Sequence, residues 1–204
     1  MRFKLLTSLI KIFTFFYRIL SNIIIFMIVL AGASASGKTE VAKLLAKKYG
    51  IVKIITTTTR EKRVGEVDKR DYFFVSKEEF ERKIEAGDFV EYTFYNGNLY
   101  GSTKDQIADN KCVVIDPAGL RSYIALNNPS IITFFLETDE ETRRKRMLER
   151  GDGEEKVASR IAHDRELFKK ENICHVDYII DNSSNHTLEE IADLIYSLYI
   201  KAKK

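Results

Sequence analysis

Proline and cysteine are nearly absent from this sequence, two of each in 204 residues, and glycine occurs only ten times. So few chain breakers leave no room for a Pro/Gly-rich linker, and no internal repeat or low-complexity tract divides the chain. Cys112 and Cys174 are too few for a disulfide framework or a zinc site, which makes a reducing compartment the default setting. His163, His175 and His186 carry no ligand spacing and read as surface or core residues. A basic excess is lacking too. The formal charge is +3, but four of the 33 lysines and arginines fall within residues 1–26, which hold no acid; the rest of the chain has 29 basic against 30 acidic residues. A nucleic-acid binder normally presents a basic face, so no nucleic-acid partner is expected.

What is present is a globular composition, 45% hydrophobic and 31% charged, at a length that suits one domain or a domain with a small insert. Residues 1–26 (MRFKLLTSLIKIFTFFYRILSNIIIF) differ from all that follows. A secretory signal fits poorly, because Lys11 interrupts the apolar region and the small residues available for cleavage lie inside a glycine loop. A membrane anchor could use the 19 uncharged residues 19–37, close to the roughly 20 needed to span a bilayer, but the second half of that stretch is a strand feeding the loop. An amphipathic surface helix is the softer version, with Lys4, Lys11 and Arg18 recurring every seven residues beside Thr7, Thr14 and Ser21. The preferred reading is that translation begins at Met27 and that the leader is translated AT-rich upstream sequence; membrane contact through residues 1–26 is the alternative.

From Met27 onward strand-like and helix-like runs alternate. Residues 28–31 form a short apolar run, and 39–49 place Val41, Leu44 and Leu45 on one helical face before Gly50. Residues 52–55 read as a second buried strand, and 112–115, 131–136 and 178–180 are equally apolar strands, each followed by a helical segment. Thr138 with Glu141, and Thr187 with Glu190, fit the capping box that opens a helix. Continuous apolar strands alternating with helices predict a parallel sheet covered on both faces. Residues 71–103 break the alternation: a strand at 72–75, a helix opened by Ser76 and Glu79 and stopped at Gly87, then strands at 89–95 and 99–100 joined by Asn96-Gly97. That is a small, partly antiparallel insert.

Gly32-Ala33-Ser34-Ala35-Ser36-Gly37-Lys38-Thr39 satisfies G-x-x-x-x-G-K-[ST]. Glycine at both ends lets successive N–H groups converge on phosphate oxygens, and the following helix adds the positive end of its dipole. Lys38 reaches the β- and γ-phosphates, and Thr39 offers a hydroxyl to Mg²⁺. The competing reading is an accidental Gly/Ser turn; a buried strand before the motif and an amphipathic helix after it weigh against that.

Residues 56–72 read TTTTREKRVGEVDKRDY. The order of phosphate loop, T-T-R-x-x-R-x-G-E-x-x-x-x-D-Y and an E-x…Y-G-[ST] hairpin resembles guanylate kinase, over nearly the whole body from Met27 to about residue 201. The resemblance implies an α/β phosphate-loop kinase core with a parallel sheet flanked by helices, occupying residues 27–204, with a mixed α/β GMP-binding insert at about 57–105 and a helical lid at about 139–162. It implies ATP as donor, GMP or dGMP as acceptor, Mg²⁺ and a cytoplasmic enzyme. Arg60 and Arg63 would hold the GMP phosphate, with Tyr72 donating its hydroxyl to it; arginine forks bind phosphate strongly and directionally. Glu91 would accept the adjacent N1–H and N2–H of guanine, a pair that adenine lacks. Tyr100, Ser102 and Thr56 match further GMP-contacting positions. Residues 32–39 with Asn182 would hold ATP, and Asp181 and Asn182 match the segment near the adenine.

Arg143, Arg146 and Arg150 in the basic run 142–150 share one helical face. The resemblance makes Arg146, Arg150 and Arg160 the arginines that close over the transferring phosphoryl group, with Lys38 as the fourth catalytic cation. Asp116 ends an apolar strand, where an acid suits either a water-bridged Mg²⁺ or the guanine pocket. Several positions depart from the family pattern: Val114 stands where an acid is usual, Pro117 follows Asp116, and Ala33 and Ala35 replace proline and glycine. Two alternatives stay open, a phosphate-loop kinase for another nucleotide or small acceptor, and a weakly active guanylate-kinase-like interaction module.

Overall fold

The computed structural model describes residues 26–62, 64–95, 97–169, 175–183 and 186–203. Its elements run β1 (Met27–Gly32), α1 (Lys38–Tyr49), β2 (Val52–Lys53), β3 (Thr57–Thr58), β4 (Phe73–Phe74), α2 (Lys77–Glu85), β5 (Phe89–Tyr95), β6 (Asn98–Thr103), β7 (Lys111–Ile115), α3 (Pro117–Ala125), β8 (Ile131–Glu137), α4 (Glu140–Glu149), α5 (Glu154–Leu167), β9 (Tyr178–Asp181) and α6 (Leu188–Ala202). The question of residues 1–26 lies almost wholly outside the described residues. Among those described, no helix is long and apolar enough to cross a membrane.

β1 has no polar side chain, and its position explains why. It is the middle strand of a five-stranded parallel sheet in the order β2-β7-β1-β8-β9. Because strand side chains alternate, Ile28 and Leu30 face one way, into a core with Val41 and Leu45 of α1 and Ile191 and Ile195 of α6. Met27, Val29 and Ala31 face the other, against Leu120 and Tyr123 of α3. Fully burying such an aliphatic side chain contributes about 1.5–3 kcal/mol, so helices on both faces are required by the strand's composition. The carboxyl ends of β1, β7 and β8 lie together, and the chain reverses its direction of winding around β1. Ligands of open α/β sheets bind at such a point.

β2 departs from the expected buried strand at 52–55. It is two residues long and lies at the sheet edge, pairing only with β7. Val52 is therefore exposed, while its neighbours Ile51 and Ile54 are buried. The capping box at Thr138 is also corrected. Asp139 is the N-cap of α4, and its carboxylate accepts the Thr142 N–H at 2.7 Å. A charged acceptor next to the positive helix end outcompetes the neighbouring hydroxyl. Thr187 and Glu190 do form the capping box of α6.

Between β2 and β7 the chain builds a second sheet, β4-β3-β6-β5, in which β5 and β6 form an antiparallel hairpin. Ser76 caps α2 by accepting the Glu79 N–H, and Phe80 stacks on Phe89 at 4.4 Å between ring centroids. Gly101 is needed there: a Cβ would stand 2.7 Å from the Phe89 ring. The strand expected at 72–75 narrows to Phe73–Phe74, and Asn96 of the predicted turn lies outside the described residues. His163, His175 and His186 are all exposed.

Candidate active site

The loop 33–37 leaves β1 and enters α1 through Gly37, whose φ of 91° is left-handed; a Cβ there would meet the Asn182 side chain at 2.7 Å. Lys38 curls back over the loop, donating from Nζ to the carbonyls of Gly32 at 2.6 Å and Ala33 at 2.8 Å. Its pKa is lowered to about 8, chiefly by desolvation and also by the charges of Arg143 and Arg160, while Asp164 and Asp116 oppose the shift. A cavity of about 430 Å³ opens beside the loop, lined by residues 35–40 together with Arg146, Arg150 and Leu188.

Two cations expected above the loop are there. Arg146 donates to the Ala35 carbonyl at 3.4 Å and to the Asn182 carbonyl at 3.2 Å. Arg150 lines the cavity while pairing with Asp152. Arg160 is half-buried on α5, near enough to be felt by Lys38. Arg143 shares the helix but turns inward and forms a buried ion pair with Asp164 at 2.8 Å.

The Asn182 side chain is fully buried and donates from Nδ2 to the Ser36 carbonyl at 2.7 Å, so it braces the loop. Ala35 has a φ of 59°, and its methyl packs on the small cluster of Met147, Val157 and Ile161. A left-handed alanine costs about 1–2 kcal/mol, and here the methyl contact with the helix pair offsets part of it.

A second pocket forms where the β5–β6 hairpin meets the carboxyl end of β7. Thr56, Glu91, Tyr100, Ser102 and Asp116 line one cavity of about 180 Å³. Ser102 Oγ donates to Glu91 Oε1 at 2.5 Å. Burial raises the Glu91 pKa against that hydrogen bond, and the nearby Asp116 raises it further. Val114, standing where the family pattern has an acid, forms part of the wall. Asp116 is the N-cap of α3, accepting the Gly119 N–H at 2.8 Å, and Pro117 takes the first helical position, where a missing N–H costs nothing. Asp116 lines the Glu91 pocket, and its charge is also felt at Lys38.

Arg60 lies next to this cavity. Its Nη2 donates to both carboxylate oxygens of Glu66, at 2.8 and 3.0 Å, and its guanidinium covers the Tyr72 ring at 5.3 Å. Tyr72 in turn meets Tyr100 edge to face. The predicted partner Arg63 lies outside the described residues.

Sequence reasoning missed Thr93 in the second cavity and Asp164 at the loop. Thr93 could have been found, since it follows Glu91 by two and shares its face of β5. Asp164 carries no sequence signal: it lies 130 residues from its loop partner. Cys112 is buried with its thiol pushed up to about 12 by desolvation, and it is not a reactive group.

Thr39 and Asp116 each offer hard oxygens, in separate pockets, and no cluster of three or more His, Cys, Asp or Glu gathers among the described residues. That suits an ion bound mostly through phosphate and water, as Mg²⁺ commonly is, and does not suit a protein-caged metal.

The model of the family described as guanylate kinase matches residues 26–198. A guanylate kinase of Symbiobacterium thermophilum is 38% identical over 164 residues, covering 76% of this chain and 77% of that one. One of Anaplasma phagocytophilum is 34% identical over 182 residues, 84% of each chain. The crystal structure of the guanylate kinase from Anaplasma phagocytophilum superposes with a TM-score of 0.57 at 29% identity, covering 87% of this chain and 86% of that one. With its phosphate loop, its arginine-bearing helix pair and its glutamate-lined second pocket, this chain belongs to the guanylate kinase family.

Proposed function

We propose that this protein transfers the γ-phosphoryl group of ATP to GMP, and to dGMP, releasing ADP and GDP. The observation that carries the reading is Glu91: a desolvated carboxylate, oriented by Ser102, in a pocket lined also by Thr56, Tyr100 and Asp116. Guanine offers two adjacent donors to that carboxylate, whereas adenine offers an acceptor and would leave it unpaired, a loss of about 1–3 kcal/mol.

A phosphate oxygen of GMP attacks the γ-phosphorus, and the bond from that phosphorus to the β,γ-bridging oxygen breaks. The attacking oxygen is already ionised near neutrality, since the second phosphate pKa is about 6, so no general base is required. What remains is to align two anions and offset their repulsion. Lys38 and residues 32–39 receive the donor tail. Arg146, Arg150 and Arg160 close over it, while Arg60, Arg63 and Tyr72 hold the acceptor phosphate, and Thr56, Tyr100 and Ser102 line its nucleoside. Thr39 and, through water, Asp116 would hold Mg²⁺. When bound, the ion supplies positive charge to the donor's phosphate oxygens. The nucleotide substrates fit a cytoplasmic protein.

A coupled ADP-release assay with GMP, dGMP, AMP and CMP tests the assignment. GMP and dGMP are expected to be used and AMP and CMP to be poor; equal turnover of GMP and AMP refutes the role of Glu91. A kinase for a different acceptor would not need the set formed by Arg60, Tyr72 and Glu91.

A further inference from the structure

One carboxylate bonded to the phosphate loop has no part in this scheme. Asp164 Oδ2 accepts the Ser34 N–H at 2.9 Å and an Arg143 Nη1 proton at 2.8 Å, and Oδ1 accepts the Ser34 hydroxyl at 3.2 Å. Its side chain is 6% exposed and that of Arg143 8%. Lys38 and Arg146 rest on neutral backbone carbonyls, whereas Ser34 rests on a full negative charge. Among the described residues, Asp164 is the carboxylate bonded directly to the loop. It sits on α5 and its partner Arg143 on α4, so the contact ties the arginine-bearing helix pair to the loop.

A carboxylate on an N–H and a neighbouring hydroxyl of a phosphate loop offers what a phosphate would, two oxygens and a negative charge. We propose that Asp164 is a positioning residue that competes with donor phosphate: it seats the helix pair α4–α5 on the loop through Ser34 and gives up Ser34 when the triphosphate enters. Like charges at a few ångströms in a half-desolvated site repel strongly, and the Ser34 donors cannot serve both anions. Parting Asp164 from Arg143 would leave buried charges unpaired, so the pair leaves Ser34 together and the two helices move as one body. The inference rests on the proposed donor site and adds that donor affinity is set against an internal competitor.

The test is ADP and GMP binding by calorimetry in wild type, Asp164→Asn and the double variant Arg143→Leu/Asp164→Leu. Asparagine keeps an oxygen for the Ser34 N–H and drops the charge; the leucine pair removes both buried charges while filling their volume. Measured near pH 6.5, where Lys38 keeps its proton with or without the Asp164 charge, both variants are expected to bind ADP about three-fold or more tighter, with GMP affinity unchanged and the ATP KM lowered in turnover. If Asp164→Asn melts because Arg143 is left unpaired, the leucine pair carries the comparison. ADP affinity that is equal or weaker in folded variants overturns the proposal, because a merely structural role weakens both nucleotides or neither. Wild-type protein that binds ADP but moves no phosphoryl group to GMP ends the activity reading and leaves the ADP comparison in force. Wild-type protein that binds no ADP ends both.

Discussion

Glu91 and Lys38 are each held where their charged form is disfavoured, and each is relieved by a substrate of opposite character. Burial raises the Glu91 pKa, and two guanine donors would restore the carboxylate. Glu91→Gln replaces one of the two acceptor oxygens with a donor, so kcat/KM for GMP should fall about 10–100-fold while the ATP KM holds, and discrimination against AMP should narrow. Steady-state kinetics with both acceptors reads this directly. For Lys38 the sign runs the other way. Its pKa of about 8 in the free protein must rise when a polyphosphate arrives. Donor affinity should therefore weaken as pH climbs through 8, and binding near pH 8.5 should take up a substantial fraction of a proton. Calorimetry of ADP in two buffers of different ionisation enthalpy measures it; no uptake would contradict the geometry of Lys38. Lys38→Ala should abolish transfer.

Helix starts and core contacts decide the behaviour of the elements. Asp139, not Thr138, supplies the cap of α4. Asp139→Ala should cost about 1 kcal/mol and loosen the arginine helix, whereas Thr138→Val, which removes a buried hydroxyl without a hydrogen-bond partner, should be neutral or slightly stabilising. Urea unfolding separates the two. The cap was misassigned from sequence because Thr138 and Glu141 fit a capping box one register early, and only the local backbone decides which oxygen reaches a free N–H. Leu45 joins α1 to both β1 and α6 and is fully buried, so Leu45→Ala should cost about 2–5 kcal/mol by the same measurement. β2 teaches a similar lesson. Its apolar residues promised a buried strand, but exposure depends on which strands lie beside it, and β2 has one neighbour.

The whole molecule sets one pocket beside the phosphate loop, with Arg146 and Arg150 on its wall, and a second around Glu91 and Asp116, and the proposed reaction needs both filled. Such a site must keep water from the γ-phosphate until the acceptor is seated. ATP hydrolysis without GMP should thus run at least about 10³-fold slower than transfer, measured as phosphate release against ADP release with GMP present. The phosphate loop and the apolar strands that demand cover on both faces could be read from the chain by itself, because they depend on local backbone geometry and residue type; the arginine-tyrosine motif before β4 and the hairpin carrying Glu91, Tyr100 and Ser102 took their meaning from the family resemblance. Folding alone decided that Asn182 braces the loop, that Arg143 turns inward from the face it shares with Arg146, and that Asp164 lands on Ser34. Those outcomes depend on which side chains meet across long sequence separations in a low-dielectric interior, where a charge must find its partner wherever the packing of the helices puts one.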